Sequence, residues 1–333
     1  MDEKVKIVQY GIGPIACKIT PLLLEKELFE IVGAVDIDPQ KVGRDLGDIA
    51  QLPEPLGVSI RSDVKNVLHA TKADMVVLTS SSTIEKIYPQ IMEIVNAGAN
   101  VVTTCEELSF PWLTNPQRSK ELDEAAKTNN VSILATGINP GFLMDFLPTT
   151  MTGICRTVHK ITVERIQDAQ YRRIPFQKKI GVGLTVAEFE QAVASKTLRH
   201  VGLTESMHMI AHTLGWKLDK TEDIIKPVIA KIRTDTADLS IAAGNALGVS
   251  QTGRGFMNGK EVISLIFRAS IGEPQPHDRI IIDGTPKIDS TIQDGVNGDI
   301  ATCMITINAI PAVLKAKPGL RTMVDIGTIA HIA

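Results

Sequence analysis

The sequence predicts an α/β protein in which a doubly wound parallel sheet is followed by a second, α+β domain with a mixed or antiparallel sheet. The 333 residues exceed an average domain of roughly 150, so two domains are expected. Over the first 140 residues, short apolar runs alternate with longer amphipathic stretches, as in repeated βαβ units. After Asn139-Pro140-Gly141 the chain changes to longer polar stretches with antiparallel strand candidates.

Six apolar runs are predicted to form the parallel sheet: residues 5–9, 29–35, 58–60, 75–79, 100–103 and 131–135. Helices are predicted at 84–97 and at 116–128, where Asn115 suits the N-cap and Pro116 the first turn. Second-domain strands are expected at 159–167, 262–269 and 279–282, and helices at 185–194 and 205–214. Asp283-Gly284 predicts a tight hairpin to the run at 287–292. Another helical pattern lies within 308–329.

This order of elements predicts two domains. Residues 1–140 are expected to form a dinucleotide-binding domain, which residues 308–333 complete. Residues 141–307 are expected to bind the substrate and to pair across a two-fold axis, which gives a homodimer.

The composition argues against several classes of partner. The 35 Lys and Arg residues nearly balance the 38 Asp and Glu residues, and no long run of one sign occurs, so nucleic acid is not an expected partner. No apolar run approaches the ~20 residues of a membrane span, so no membrane partner is predicted. The four cysteines are far apart, which indicates free thiols in a reducing, cytoplasmic setting.

A Gly-x-Gly-x-x-Ala motif, Gly11 to Ala16, lies between the first apolar run and a helical stretch. Gly11 permits a tight turn, Gly13 lets the backbone approach a pyrophosphate, and Ala16 allows the helix to pack closely on the strand. The helix that begins with Pro14 and Ile15 presents free N–H groups to the phosphates. This arrangement is typical of a Rossmann-like domain that binds a nicotinamide dinucleotide.

Asp36 lies 20 residues after Ala16, at the end of the second apolar run. A carboxylate there accepts hydrogen bonds from the adenosine ribose hydroxyls and repels a 2′-phosphate, so NAD is the favoured cofactor. Lys41 and Arg44 follow closely and can turn toward a 2′-phosphate, which keeps NADP open. Pro21 is unusual inside the first helix and predicts a kink or a new turn.

Two polar segments follow later strands, at the edge where such a sheet opens toward its ligand. The hydroxyl-rich segment Thr79-Ser80-Ser81-Ser82-Thr83 either lets a nicotinamide ribose or phosphate approach, above all at Thr79, Ser80 and Ser81, or supplies the N-cap of the next helix. Glu106 and Glu107 are candidates for acid–base catalysis, because the pKa of a glutamate partly desolvated beside a cofactor is raised. Adjacent side chains point in different directions, so one is expected to face the crevice, unless both cap a helix start.

Asn139 follows the last predicted strand of the parallel sheet. Its amide can hold the nicotinamide carboxamide, in a turn that glycine and proline fix. A plain interdomain hinge is the other interpretation, and the two are compatible.

The second domain offers basic and imidazole side chains. Arg165, Arg172 and Arg173 are candidates for binding a substrate carboxylate in bidentate fashion, although solvated surface charge is the commoner role. His208 and His212 have the spacing of metal ligands, but no third ligand is evident, so no metal is predicted.

Several of these segments together resemble one enzyme family. They are the glycine motif with Asp36, the segment TTCEEL at 103–108, the turn GINPGF at 137–142, and the C-terminal run from Asn297 through Asn308 to Pro318-Gly319-Leu320. This combination looks like the 2,4-diaminopentanoate dehydrogenases and their amine dehydrogenase relatives, which share a dihydrodipicolinate reductase-like Rossmann domain. The resemblance spans nearly the whole chain.

The resemblance implies reversible, NAD(P)-dependent oxidative deamination of an amine. Hydride leaves the carbon that bears the amine for nicotinamide, and water converts the imine to a ketone and ammonia. With 2,4-diaminopentanoate the product would be 2-amino-4-oxopentanoate. The resemblance places the essential glutamate within the pair Glu106 and Glu107, and it implies Asn308 as a cofactor contact.

Two other functions remain open from the sequence. One is an oxidoreductase of the dihydrodipicolinate reductase or homoserine dehydrogenase kind, which turns over without ammonia. The other is a non-catalytic NAD-binding sensor whose second domain contacts a partner.

Overall fold

The chain forms two compact units in a computed structural model that describes residues 3–170, 172, 174–236 and 239–332. The first unit combines Met1–Phe142 with Asn297–Ala333, and the second is Leu143–Val296. The C-terminal part of the first unit thus begins before the predicted residue 308. No helix in the described part of the chain is long and apolar enough to cross a membrane.

The first unit is built on a parallel sheet that has seven strands within the described residues, in the order β15-β6-β5-β4-β1-β2-β3. The strands are β1 (Val5–Tyr10), β2 (Phe29–Val35), β3 (Ile60–Arg61), β4 (Met75–Leu78), β5 (Asn100–Thr103), β6 (Ser132–Ala135) and β15 (Gly319–Arg321). The six predicted strands are confirmed, with small changes at their ends. The strand β15, which was not predicted, adds to the sheet beside β6.

Helices cover both faces of this sheet, as in a doubly wound, Rossmann-like fold. They are α1 (Pro14–Leu24), α2 (Leu46–Ile49), α3 (Val64–Thr71), α4 (Ile84–Asn96), α5 (Pro116–Thr128) and α10 (Gly298–Lys315), with a 3-10 helix at Glu106–Leu108. The helices α3, α4 and α5 contact one another in series, and α1 contacts α10, which also packs on β5 and β6. The buried side chains between sheet and helices include Val76, Leu78, Ile87, Ile91 and Leu122.

The helix α1 is continuous through Pro21, so the chain does not begin a new turn there. Proline lacks the N–H that would close the preceding helical turn. The buried Gln9 side chain on β1 ties this part of α1 to the sheet: its Nε2 donates to the Ala16 carbonyl at 3.2 Å, and its Oε1 accepts from the Thr20 hydroxyl at 2.9 Å. These bonds satisfy a buried amide and hold α1 on its strand.

The helix α10 begins earlier than the sequence predicted, and its start explains the domain boundary. Asn297 is its N-cap, and the Asn297 Oδ1 accepts from the N–H groups of Asp299 at 3.1 Å and Ile300 at 3.2 Å. The Lys18 ammonium on α1 pairs with the Asp299 carboxylate at 2.5 Å. The C-terminal segment therefore belongs to the first unit from its N-cap onward.

The second unit contains a mixed sheet, as predicted, with six strands among the described residues in the order β14-β13-β7-β12-β11-β8. Its strands are β7 (Thr157–Asp168), β8 (Lys220–Ile229), β11 (Ala246–Met257), β12 (Lys260–Ser270), β13 (His277–Thr285) and β14 (Ile288–Gln293), and β9 (Thr234–Asp235) pairs separately with β10 (Ser240–Ile241). Its helices are α6 (Phe146–Met151), α7 (Ile174–Lys179), α8 (Val186–Ala194) and α9 (Leu203–Thr213), with a 3-10 helix at Thr152–Ile154. The pair β7 and β12 is parallel.

The predicted hairpin is formed by β13 and β14, but its turn lies later than Asp283-Gly284. Both of these residues belong to β13, where Asp283 pairs with Lys160 and Gly284 with Val158 on β7. Because β7 provides partners on this side, β13 extends beyond the Asp-Gly pair before the chain reverses. The predicted position of the turn is therefore wrong, while the pairing of the two strands is confirmed.

Candidate active site

The candidate site is an edge of the parallel sheet. Since all strands of this sheet run in the same direction, the segments that follow β1, β2, β4, β5 and β6 meet at the edge formed by their carboxyl ends. These segments contain the glycine motif, Asp36, Thr79-Ser80-Ser81, the two glutamates and Asn139.

The glycine motif is held against the segment after β4. Gly11 has φ +84°, and a Cβ at this position would lie 2.7 Å from the backbone N of Ser80. A side chain is excluded by both the conformation and the contact. The Thr79 hydroxyl donates to the Gly11 carbonyl at 2.8 Å. Thr79 and Ser80 thus support the loop that approaches the ligand.

The start of α1 is open to a ligand. Gly13 is its N-cap, no side chain caps the helix, and a Cβ on Gly13 would meet nothing within 4 Å. Pro14 is the first helical residue, and the next two residues, Ile15 and the buried Ala16, carry first-turn N–H groups that lie outside the helical hydrogen-bond ladder. Open space next to uncapped N–H groups fits an anionic pyrophosphate.

The Asp36 carboxylate is hydrogen-bonded to the glycine loop. Its Oδ2 accepts from the Ile12 N–H at 2.7 Å, and its Oδ1 accepts from the Asp38 N–H at 2.9 Å. The side chain of Lys41 also reaches Oδ2, at 3.2 Å. Burial opposes ionisation of this carboxyl, but the three hydrogen bonds outweigh it and lower the pKa of Asp36. The carboxylate is therefore ionised at neutral pH and anchors the glycine loop.

Ile37 is an exposed apolar residue next to Asp36 that the sequence analysis did not consider. It follows Asp36 directly and is 75% exposed, as are Ile154 and Ile232 elsewhere in the chain. An apolar surface beside this carboxylate would suit the face of an adenine ring. An isoleucine immediately after the acidic strand end was the available signal.

The serine hydroxyls after β4 bond to the protein itself. The Ser80 hydroxyl donates to Gln90, and the Ser81 hydroxyl accepts from the Thr83 N–H at 3.3 Å. Thr83, the last residue of the hydroxyl-rich segment, is the N-cap of α4, although its side chain makes no capping hydrogen bond. The segment thus supports both the glycine loop and the approach to α4.

The two glutamates after β5 have different surroundings. The Glu107 Oε2 accepts from the Ile84 N–H at 2.9 Å, so Glu107 bonds the first turn of α4 from outside that helix. Its own N–H donates to the Ser82 carbonyl at 3.3 Å. Glu106 begins the 3-10 helix and is half-buried at the sheet edge. The helix-capping interpretation therefore holds for Glu107.

Cys105, next to this pair, is not a suitable nucleophile. Burial, followed by the effect of the Glu106 carboxylate, raises the pKa of its thiol far above neutrality. The thiolate required for nucleophilic attack is therefore scarce.

The turn after β6 is tightly built. Gly141 has φ +125°, and a Cβ there would lie 2.5 Å from the Gly137 backbone N. The Ile138 N–H donates to the Thr302 hydroxyl on α10 at 3.3 Å. Asn139 is buried within this turn, with 8% exposure. The hydrogen bond to Thr302 thus ties the turn after β6 to the first turns of α10.

Asn308 lies farther along α10, where it is half-buried. Its Oδ1 accepts a hydrogen bond from the Ile332 N–H at 3.4 Å. The structure thus gives this side chain a contact with the C-terminal segment.

The three arginines lie in the second unit. Arg165 is 2% exposed, and its Nη1 donates to both carboxylate oxygens of Asp278 at 2.8 and 2.9 Å. This buried ion pair differs from both roles considered for Arg165, which were contact with a substrate carboxylate and solvated surface charge. Arg172 lies over the Phe176 ring, with 4.2 Å from Cζ to the ring centroid. Arg173 lies outside the described residues.

Comparisons with known proteins find relatives over nearly the whole chain. Residues 142–333 match the family model described as the 2,4-diaminopentanoate dehydrogenase C-terminal domain. The chain is 34% identical to 2,4-diaminopentanoate dehydrogenase of Acetoanaerobium sticklandii, over 97% of this chain and 94% of that protein. It is 24% identical to an amine dehydrogenase of Streptomyces virginiae, over 97% and 96% of the two chains.

A solved structure is similar over the whole chain. It is the amine dehydrogenase from Mycobacterium smegmatis, with a TM-score of 0.86, 25% identity and coverage of 99% of this chain and 98% of that one. Fold, sheet edge and relatives together define the class: the protein is an oxidoreductase, a dehydrogenase that acts on amines. Within this class, the chain belongs to the 2,4-diaminopentanoate dehydrogenase family.

Proposed function

We propose that this enzyme catalyses the NAD(P)-dependent oxidative deamination of 2,4-diaminopentanoate at C4, giving 2-amino-4-oxopentanoate and ammonia, and the reverse reductive amination. The observation that carries the proposal is the position of Glu106, directly after β5 and on the same sheet edge as the uncapped start of α1. A carboxylate beside a dinucleotide loop is what amine oxidation requires, and the relative with 34% identity is named for this substrate.

The dinucleotide would lie along the start of α1. The N–H groups of Ile15 and Ala16 would face its pyrophosphate, with Gly11, Gly13 and Pro14 shaping the approach. Asp36 would accept from the adenosine ribose, so NAD is the preferred cofactor and NADP is accepted less well. The nicotinamide half of the cofactor would be bordered or supported by five side chains, those of Thr79, Ser80, Ser81, Asn139 and Asn308.

The bound cofactor supplies a hydride acceptor at nicotinamide C4. Glu106 takes a proton from the substrate ammonium group, which leaves a neutral amine whose lone pair assists departure of hydride from C4 of the substrate. After this proton has passed to solvent, the regenerated carboxylate removes a proton from the water that attacks the iminium carbon and returns it to the nitrogen, which leaves as ammonia. Glu107 holds the local backbone through its bond to Ile84 and leaves the proton transfers to Glu106.

The second unit would bind the substrate and form the homodimer. Arg172 and Arg173 are the arginines we assign to the substrate carboxylate, since the guanidinium of Arg165 is bonded to Asp278. The separated free cysteines are consistent with a cytoplasmic enzyme.

The dependence of turnover on ammonia tests the reaction class. With NADH and 2-amino-4-oxopentanoate, we expect oxidation of NADH only when ammonia is present. Turnover without ammonia would instead support a reductase of the dihydrodipicolinate reductase or homoserine dehydrogenase kind. Nucleotide binding with no turnover, unaltered by Glu106→Gln, would indicate a sensor.

The substrate assignment needs a separate comparison. NAD+ reduction is measured with 2,4-diaminopentanoate and with pentane-2,4-diamine, which lacks the carboxylate. We expect the higher kcat/KM for the amino acid. A preference for the diamine would contradict the assigned substrate and leave the reaction class intact.

A further inference from the structure

The loop after β2 places a cation on the carboxylate that is expected to read the cofactor ribose. The N–H groups of Lys41 and Val42 donate to the Asp38 carbonyl at 2.9 and 3.0 Å, and the Gly43 N–H donates to Ile60 at 2.9 Å. These bonds fix the loop beside β3. They hold the backbone of Lys41 where its side chain turns back toward Asp36.

The Lys41 ammonium lies between two carboxylates. Its Nζ is 3.2 Å from the Asp36 Oδ2 and 3.5 Å from the Asp38 Oδ2. The side chain remains 27% exposed, so an incoming ligand can reach it. Partial burial opposes ionisation of this amine, but the two carboxylates outweigh it and raise the pKa of Lys41. The group is therefore a permanent cation at neutral pH.

The position of the Lys41 ammonium changes which cofactor, NAD or NADP, the carboxylates after β2 favour. An unpaired carboxylate repels the 2′-phosphate of NADP. The two carboxylates and Lys41 together carry a formal charge of −1, whereas without Lys41 the charge would be −2. When Nζ leaves Asp36, the carboxylate keeps its bonds from the Ile12 and Asp38 N–H groups. The cation can thus move to a phosphate without releasing the loop.

We propose that Lys41 is the residue that lets this enzyme accept a 2′-phosphate, by exchanging its ion pair with Asp36 for one with the phosphate of NADP. The inference rests on the cofactor site in the proposed function, and it concerns only the adenosine end of the cofactor. It is independent of the chemistry at the amine. Lys41 is therefore a specificity residue.

Binding of two adenosine nucleotides to the full-length protein tests this role without any turnover. Isothermal titration calorimetry is performed with adenosine 2′,5′-bisphosphate and with 5′-AMP, on the wild type, Lys41→Met, Lys41→Arg and Arg44→Met. Arg44→Met tests the competing candidate, the exposed basic residue three positions further on that can also turn toward a 2′-phosphate. The thermal midpoint of each variant checks that the fold is retained.

We expect Lys41→Met to weaken binding of the bisphosphate at least about tenfold, the value of one hydrogen bond between charged groups. Its effect on 5′-AMP should stay below about threefold, because the Lys41 ammonium pairs mainly with the 2′-phosphate, which 5′-AMP lacks. Lys41→Arg should restore the bisphosphate affinity, and Arg44→Met should leave the ratio of the two affinities unchanged.

Three results would overturn the proposal. An equal loss for both nucleotides in Lys41→Met would mean that Lys41 only supports the loop. A loss confined to the bisphosphate in Arg44→Met would assign the role to Arg44. Failure of the wild type to bind either nucleotide would show that the proposed cofactor site does not exist. If the nucleotides bind as expected while amines are not oxidised, only the proposed reaction fails.

Discussion

The carboxylate of Glu107 bonds the backbone N–H of Ile84, with 2.9 Å between Oε2 and N. Ile84 is the first residue of α4, the helix that follows β4, whereas Glu107 follows the neighbouring strand β5. This bond assigns Glu107, one of the two adjacent acids, to the start of α4. Glu106 remains as the acid that we assign to proton transfer.

This assignment predicts different losses for the two glutamates. Glu106→Gln keeps the shape of the side chain but cannot accept the proton, so kcat should fall by about 10²–10⁴. Glu107→Ala removes a helix-terminal acceptor and should lower the free energy of unfolding by about 1 kcal/mol. Amine-dependent NAD+ reduction and thermal unfolding measure the two effects. The reverse pattern, with turnover abolished only in the Glu107 variant, would contradict the assignment.

The two glycines of the motif should respond differently to alanine. At Gly11 the added Cβ would lie 2.7 Å from the Ser80 backbone, in a left-handed conformation, so Gly11→Ala should destabilise the fold. At Gly13 the Cβ meets nothing, so Gly13→Ala should fold normally and yet raise the KM for the dinucleotide, because the methyl group enters the space for the pyrophosphate. Thermal midpoints and cofactor titrations separate these effects. Normal cofactor affinity in Gly13→Ala would place the pyrophosphate elsewhere.

The hydrogen bonds of Asp36 predict a pH dependence of stability. Because the pKa of Asp36 is lowered in the folded state, its ionised form stabilises the fold, and this contribution is complete above its unfolded pKa of about 3.9. It is lost as the pH falls through the lower, folded pKa. Urea unfolding of the wild type and Asp36→Asn should therefore differ at pH 7 and converge only as the pH falls below about 4. A difference that grows on acidification would have the wrong sign.

The ion pair between Arg165 and Asp278 predicts a structural role for that arginine. Arg165→Met leaves a buried carboxylate without its cation, and the free energy of unfolding should fall by about 3–5 kcal/mol. The double variant with Asp278→Asn should recover a large part of this loss, since the unpaired charge is then removed. Equal stability of the single and double variants would show that the pair contributes through packing alone.

Most of the parallel sheet was predictable because its strands are short apolar runs that the helices bury on both faces. The bounds of β2 and β5 match the prediction, and the N-terminal boundary of α5 follows from Pro116 in its first turn. The strand β15 has only three residues, Gly319–Arg321, and is defined by its pairing with β6. Such a segment has no periodicity of its own.

The second unit was predicted less completely because its strands depend on distant partners. The strand β8 carries charged residues among its apolar ones, as in Lys220, Glu222 and Asp223, and the pattern does not mark it as a strand. The position of the hairpin turn depends on pairing with β7, which lies more than one hundred residues earlier. Local turn propensity could not anticipate that extension.

The candidate site was predictable in its residue types and not in their hydrogen bonds. Glycine spacing and an acid 20 residues later pointed to the edge of the sheet. The sequence could not show that Glu107 bonds Ile84 or that Arg165 is bonded to Asp278, because each contact joins segments brought together by the tertiary structure. The exposure of Ile37 likewise appears only when the fold is known.

Transfer of a deuterium label tests the central claim most directly. The enzyme is incubated with NAD+ and 2,4-diaminopentanoate deuterated at C4, and the reduced cofactor is analysed by mass spectrometry and proton NMR. Our account predicts one deuterium at nicotinamide C4 in each molecule of cofactor formed, together with one equivalent of ammonia. Reduced cofactor without the label, formed from the labelled substrate, would contradict it.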